Sequence, residues 1–425
     1  MGSISFFVLA ILFLLGVPIV FVLGLVSLTY VLVMGNLNLL IMFPQRMFKG
    51  LDMFILLAVP LFALGGNLMN SVGITQKLIS FVKSMVGHIT GGLAMVNVGT
   101  NMVMGGISGS AVADATAIGS IMIPAMVEDG YEVEFSAAMT SVGATVGPII
   151  PPSIPFVIYA AIGNVSVAGL FLAGVVPGVL LGLTLLVPSY LYARRKKIPK
   201  SGAFSFKNFL STFVRSIPAL LFPVIIFAGI FGGVFTPTEA AAVGVTYALL
   251  IGLAYRTLKM KDLKDNLIEI GIMLGAIMPI VSTCMITAWI LGAENITATV
   301  TNILYSISQD RNVILFVINL ILLVVGCLME PASAIILFTP IFLPVAVQLG
   351  VDPIHFGVIL VLNLILGLST PPIGVSLFVC CRIANISLEK ISRGAVPLLI
   401  IAVGVLFFIT YMPGLVMYLP NLFLK

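Results

Sequence analysis

Charge is what this sequence has least of. Only 8% of its 425 residues are Asp, Glu, Lys or Arg, and it holds two histidines, one tryptophan and four cysteines. An ordinary globular domain is about a quarter charged, and a soluble chain that is 60% hydrophobic would need a core larger than one domain can build. The four cysteines (Cys284, Cys327, Cys380 and Cys381) lie in apolar segments without metal-ligand spacing and read as small hydrophobes. No Gly-x-x-x-x-Gly-Lys-[Ser/Thr] loop is present to cradle a nucleotide phosphate, which argues against an ATP-driven pump. The net charge of +5 does not point to nucleic acid, because the basic residues fall between apolar runs, where they set topology. The first run, Ile4 to Tyr30, has neither a basic leader nor a convincing small-residue cleavage site, and so reads as a span and not as a signal peptide.

What is present is a succession of apolar runs from Ser5 to Leu424, long enough to cross a bilayer at roughly 20 residues each. They predict an all-α polytopic membrane protein with about ten full crossings, plus two apolar segments broken by Gly and Pro.

The chain also repeats itself. Gly106, Pro124, Gly130, Gly147 and Pro151-Pro152 recur at one offset as Gly326, Pro344, Gly350, Gly367 and Pro371-Pro372. One residue later in register, Asn164-Val165-Ser166 matches Asn385-Ile386-Ser387, and Pro18 and Pro60 find weaker partners in Pro237 and Pro279. The expected organisation is a first repeat over 1–192, a linker over 193–216 and a second repeat over 217–425. Scaffold helices occupy 1–70, and each repeat holds a hairpin with a broken helix, at 90–165 and 312–385.

Basic residues then orient the halves. With the N-terminus outside and an odd number of crossings per half, three clusters fall inside: Arg194 to Arg215, Arg256 to Lys264, and Arg382 to Arg393. With Lys77 and Lys83 they make sixteen of the twenty Lys and Arg, leaving Arg46, Lys49, Arg311 and Lys425 outside. An odd number of crossings also turns the second copy upside down, a common construction of secondary transporters. Both termini are expected on the outer side. In the linker, Phe204, Phe206, Phe209 and Phe213 alternate with Lys207 and Arg215, predicting either an amphipathic arm in the interface or a solvated connection.

Two interruptions recur in each half. The first is Gly-rich, Gly105-Gly106-Ile107-Ser108-Gly109-Ser110, matched by Gly326 to Ser333; its short flanks predict a re-entrant hairpin. The second, Gly147-Pro148-Ile149-Ile150-Pro151-Pro152 and Gly367-Leu368-Ser369-Thr370-Pro371-Pro372, must open a helix, because proline lacks a donor and clashes with the preceding turn. Opened helices strand backbone groups, tolerable at membrane depth only where they line a cavity or bind something. Carbonyls at half-helix C-termini with Ser and Thr hydroxyls suit sodium, and half-helix N-termini favour a carboxylate. Packing kinks are the alternative, but the same break in both halves favours a site.

Asp114 and Glu330 sit beside the breaks, and intramembrane carboxylates are functional candidates; each either touches ion or substrate or braces its hairpin. With them, the candidate substrate contacts are Ser110, Thr145, Ser153, Ser333 and Ser369. Thr236-Pro237-Thr238-Glu239 predicts a capping box. Glu294 is placed near a span end, Glu128, Asp129, Glu132 and Glu134 in a solvated loop, His88 at the interface and His355 in a loop after the second hairpin. Gly106-Ile107-Ser108-Gly109 has the form found around an intramembrane serine nucleophile, but His355 is the one plausible base and lies in an outer loop. Paired midplane breaks fit alternating access better than a channel.

At these residues the sequence resembles the large membrane subunit of the tripartite ATP-independent periplasmic (TRAP) transporters, along essentially the whole chain. The most specific stretches are Gly106 to Asp114 (GISGSAVAD), Gly147 to Pro155 (GPIIPPSIP), Phe235 to Gly244 (FTPTEAAAVG) and Gly367 to Gly374 (GLSTPPIG). The resemblance implies an elevator-type transporter of the bacterial inner membrane, not an enzyme. A transport domain of hairpins and broken helices would move against a scaffold, driven by a sodium gradient. It implies two partners, a small four-helix membrane subunit and a periplasmic substrate-binding protein, and as cargo an organic acid anion such as sialic acid or a C4-dicarboxylate. One sodium site would use Gly106, Ser108, Gly143 and Gly147, the other Gly326, Gly367, Thr370 and Ile373. No organic cofactor is expected.

Overall fold

The computed structural model describes residues 12, 15–35, 37–200, 202–294 and 296–424; the start of the expected first span at Ile4, and Lys425, lie outside the described residues. Among the described residues the regular structure is entirely helical. The first half comprises α1 (Ile19–Met34), α2 (Met42–Leu51), α3 (Ala58–Ser71) and α4 (Ile74–Val86), then a hairpin of α5 (Gly92–Ser108) and α6 (Ala111–Glu128). A helix in two pieces follows, α7 (Val133–Ala144) and α8 (Ile154–Gly163), and then the long α9 (Val167–Lys196). The second half opens with α10 (Phe206–Phe231), α11 (Pro237–Tyr255), α12 (Met260–Ala293) and α13 (Ile296–Ile307). It continues with a hairpin of α14 (Arg311–Leu328) and α15 (Pro331–Gln348), a second divided helix, α16 (Pro353–Gly367) and α17 (Val375–Ala384), and α18 (Leu388–Tyr411).

Nine helices among the described residues are long and apolar enough to cross a membrane, ten if the bent pair around Ile149 is one span. The number agrees with about ten crossings, but three of the nine, α6, α14 and α15, are hairpin arms of 18 residues each, long enough by length and composition to cross where the sequence predicted short re-entrant flanks.

The repeat is visible in where helices begin and end. α5 stops at Ser108 and α14 at Leu328; α6 and α15 run from Ala111 to Glu128 and from Pro331 to Gln348, so all three boundaries share a spacing of 220. After the Pro-Pro pairs the spacing becomes 221: α8 and α17 both end on an asparagine in the left-handed region, Asn164 and Asn385, each at φ 52°. Both Pro-Pro peptide bonds are cis. The halves interlock, with α6 packed on α17 and α8 on α15.

Local chemistry explains the turns. The first hairpin reverses at Gly109 (φ 60°), where an added side chain would sit 2.9 Å from Pro152 O, and Ser110 caps α6 by accepting from Ala113 N. The second reverses through extended Met329, with Glu330 as cap and Pro331 in the first turn of α15. α7 ends ahead of Pro148, and α8 leaves its line by 47°.

Several sequence expectations need correction. The arm is not a separate helix: residues 206–216 are the first turns of α10, continuous to Phe231, because no glycine or cap interrupts them. His355 lies in the first turn of α16, fully buried, because Asp352 caps that helix by accepting from Ile354 N and starts it two residues earlier. The acidic loop is short, with Glu128 closing α6 and Glu134 already in the first turn of α7. The capping box at Thr236 and Glu239 forms as expected, both bonds present, and Glu294 closes α12, accepting from Tyr30 Oη at 2.7 Å.

Candidate functional site

The two hairpin tips and the two breaks meet around one cavity of about 300 Å³. Ser108 to Ala113 line it from the first hairpin, Glu330 to Ala332 from the second, Pro148 and Leu368 from the breaks. Its far wall is α3 through Ala63 and Asn67, and α12 through Glu269, Ile270, Met273 and Ile277. Asn67, Ser110 and Glu269 continue into an adjoining cleft of about 350 Å³ that also reaches Asn70 and Asn266. Among the described residues, no Lys or Arg lines either space. Two helix N-termini, those of α6 and α15, open onto the cavity and lend it partial positive charge.

Beneath the first tip lies Asp114, with no solvent exposure. Ser108 Oγ donates to its Oδ1 at 2.5 Å, while Oδ2 is buried without a partner among the described residues. A methyl added at Gly147 would collide with that Oδ2, and one added at Gly105 with Gly147 Cα, so break, hairpin and carboxylate are in direct contact. The ion pairs among the described residues, Lys196–Glu132 and Arg393–Glu389, are both at the surface. A buried carboxylate without a counter-charge is strongly disfavoured unless protonated or given a cation.

The other glycines expected at the first sodium site are also tightly packed. A methyl added at Gly106 would lie 3.2 Å from Pro223 Cβ and 3.4 Å from Pro151 O, and one at Gly143 3.3 Å from Asn101 Nδ2. At the second site Gly326 and Gly367 are in backbone contact: a methyl on Gly367 would overlap Gly326 C. Thr370 Oγ1 donates to Leu366 O at 2.8 Å, and Ile373 is 48% exposed. Of the expected substrate contacts, Ser110 and Glu330 line the cavity. Thr145, Ser153, Ser333 and Ser369 do not: Thr145 donates to Val142 O, Ser153 caps α8, Ser333 bonds Glu330 Oε2, and Ser369 donates to Ser141 O at 2.8 Å, joining the two divided helices.

Sequence reasoning missed Asn67, Glu269 and the buried amides Asn97, Asn101, Asn319 and Asn363. Asn97 donates to Thr140 at 2.6 Å and Asn363 to Asn319 at 2.7 Å, pinning each divided helix to its hairpin. The available signal was an amide inside an apolar helix, which needs a partner. The hydrolytic alternative loses its geometry: Ser108 is engaged by Asp114, and His355 Nε2 is bonded to Ile409 O at 2.9 Å. No group of three or more His, Cys, Asp or Glu able to hold a metal ion occurs among the described residues.

In fold, the chain resembles the YdaH transporter of Alcanivorax borkumensis (TM-score 0.66, 10% identity, 89% of this chain and 88% of that one) and MtrF of Neisseria gonorrhoeae (TM-score 0.64, 12% identity, 90% and 85%). In sequence, it is 42% identical to the uncharacterized protein YgiK of Salmonella typhimurium, covering 97% of this chain and 96% of that protein. It is 40% identical to the sialic acid TRAP transporter large permease protein SiaM of Vibrio cholerae (96% of each) and 39% to the C4-dicarboxylate TRAP transporter large permease protein DctM of Pseudomonas aeruginosa (91% and 92%). Residues 6–415 match the family described as tripartite ATP-independent periplasmic transporter, DctM component. With paired hairpins and divided helices around one cavity, and with this likeness along nearly its whole length, the chain belongs to the DctM component family of tripartite ATP-independent periplasmic transporters and is a TRAP large permease.

Proposed function

We propose that this permease imports an organic acid anion together with sodium, across the inner membrane. The observation that carries the reading is Asp114: a carboxylate enclosed in the protein, with one oxygen on Ser108 and the other, against Gly147, without a partner among the described residues. That donor set fits a sodium ion, which needs hard oxygen ligands and supplies the missing positive charge. Ser108, Asp114 and the backbone of Gly147, with Gly106 and Gly143 nearby, would hold one ion. Gly326, Gly367, Thr370 and Ile373 would offer mainly carbonyl oxygens to a second.

The anion would occupy the cavity between the tips. With no Lys or Arg among the described lining residues, its carboxylate would meet the N-termini of α6 and α15. Ser110 and Asn67 could bond its polar groups. Sialic acid and C4-dicarboxylates, named for two of the relatives, are the substrates to try first. Because the cavity lies between the hairpins and the outer helices α3 and α12, a sliding of hairpins and divided helices as one body would carry it across, with the repeats in inverted orientation and both termini periplasmic. A small four-helix membrane subunit would complete the scaffold and a periplasmic binding protein would deliver the anion.

The test is uptake into proteoliposomes holding this chain, its small subunit and the cognate binding protein, with sialic acid or succinate outside and an inward sodium gradient. The expected result is uptake that requires both the gradient and the binding protein. Uptake without the binding protein would favour a simpler ion-coupled organic-anion symporter; uptake indifferent to sodium would overturn the coupling.

A further inference from the structure

A second polar site lies away from the transport cavity, at the junction between the halves. The last turn of α4, the turn after it and the start of α10 enclose a cavity of about 390 Å³. Lys83, His88 and Arg215 line it with Ser80, Asn208 and Thr212, and among the described residues no Asp or Glu does. Thr212 Oγ1 donates to Ser84 Oγ at 2.9 Å, which fixes the two helices side by side. His88 stacks edge-on against Phe204 at 5.4 Å, and its Nδ1 is buried without a partner among the described residues. The N-terminus of the 26-residue α10, capped by Ser205, opens into the same space. Asp129 is a carboxylate close enough to feel Lys83, and it lies outside the lining.

We propose that this cavity binds the phosphate headgroup of an anionic phospholipid. Two fixed cations, an unpartnered imidazole nitrogen, hydroxyls and a helix N-terminus converge without a carboxylate in the described lining, a donor set suited to a phosphate oxygen. What selects a lipid over free phosphate is the collar. Phe204 lines the mouth and is half exposed, and Phe209 links its ring to the exposed Phe206, apolar side chains that acyl chains would cover and water would not. Lys83 and Arg215 are among the sixteen basic residues that positive-inside bias places on the cytoplasmic side, the leaflet surface where polybasic sites recognise anionic headgroups. The site anchors α10 and α4, outside the hairpins and divided helices.

Native mass spectrometry of the full-length protein in detergent tests this, titrating phosphatidylglycerol, phosphatidylcholine or inorganic phosphate. The expected result is at least one tightly retained phosphatidylglycerol and no equivalent phosphatidylcholine. Lys83→Gln with Arg215→Gln should weaken that binding roughly 30-fold, from two lost basic contacts at a membrane surface, and Lys83→Arg with Arg215→Lys should restore most of it. Phe206→Ser should weaken the lipid and leave inorganic phosphate binding unchanged. Equal retention of both lipids, or an unchanged affinity in the charge-removing pair, would overturn the proposal. Inorganic phosphate displacing the lipid from wild type at equal concentration would make this a free-anion site and overturn the lipid assignment. Should the glutamine pair fail to fold, the single variant Arg215→Gln and the Phe206→Ser variant still decide.

Discussion

The two breaks share a backbone and differ in where they put charge. In the first half Asp114 is fully enclosed and Ser108 bonds it; at the 220-residue spacing the second half has Ala334 and Leu328 in those places. The second half instead carries its carboxylate at the rim, where Glu330 stands opposite Ser110 in the repeat and lines the cavity. Enclosure differs in the same direction. Residues 147–149 and 151–153 are buried, whereas Pro372, Ile373 and Val375 are exposed. One copy of the motif is therefore a closed pocket with its own carboxyl group, and the other an open turn that offers mostly backbone.

The sharpest way to break this comparison is to remove the charge that only the first site has. Asp114→Asn keeps the shape and should raise the sodium concentration for half-maximal uptake about 100-fold, the upper end for losing a ligand-sphere partner; a shift under about threefold would show that Asp114 only braces the hairpin. The glycine contacts come next. Gly367→Ala meets Gly326 backbone and Gly147→Ala meets the movable Asp114 carboxylate, so overpacking of about 1–3 kcal/mol should fall harder on Gly367→Ala. Thermal unfolding of the two purified variants would read this, and the reverse order would mean that the open break is the more compliant one.

The hydroxyls give a smaller contrast. Ser108→Ala leaves Asp114 Oδ1 without its donor, about 1–3 kcal/mol for a buried group, and Thr370→Ala removes a bond to Leu366 O inside its own segment. Sodium dependence of uptake should therefore weaken more in Ser108→Ala, and in both variants more than folding changes; a normal sodium requirement in either variant removes that residue from its site. The smallest effect is expected outside both breaks. The hydrogen bond from Lys196 holds the Glu132 carboxyl below its ordinary value of 4.5. A lowered folded-state value stabilises above that ordinary value, and the contribution disappears as pH falls through the folded-state value. The pair is half exposed, so Glu132→Gln should cost under about 0.5 kcal/mol at about pH 7 and progressively less as the pH is lowered below 4.5, measured by unfolding across that range.

Much of this was legible in the residues. Proline cannot continue a helix, so Pro148 and Pro371-Pro372 announced the divisions, and Gly106 with Ser108 announced the hairpin tip. The repeat could be read from Gly and Pro because both act through backbone geometry, which a duplicated fold must preserve. Asn67 and Glu269 were not legible, because each reaches the cavity from an unbroken helix with no local signal. The arm was misplaced for a related reason: amphipathic spacing over 204–215 shows a polar side but not whether the helix stops.

Composition and pattern by themselves thus determined that the chain lives in a bilayer, that its Gly and Pro breaks recur at one spacing, and where its helices open. These follow from hydrophobicity and from backbone rules that act over a few residues. Tertiary structure alone decided that Asp114 is sealed against Gly147 while Glu330 faces the cavity, that Ser369 ties the divided helices together through Ser141, and that α3 and α12 close the far wall. Burial and partnership depend on which distant helices pack together, and packing between apolar surfaces is nearly non-directional until the whole set of helices is in place.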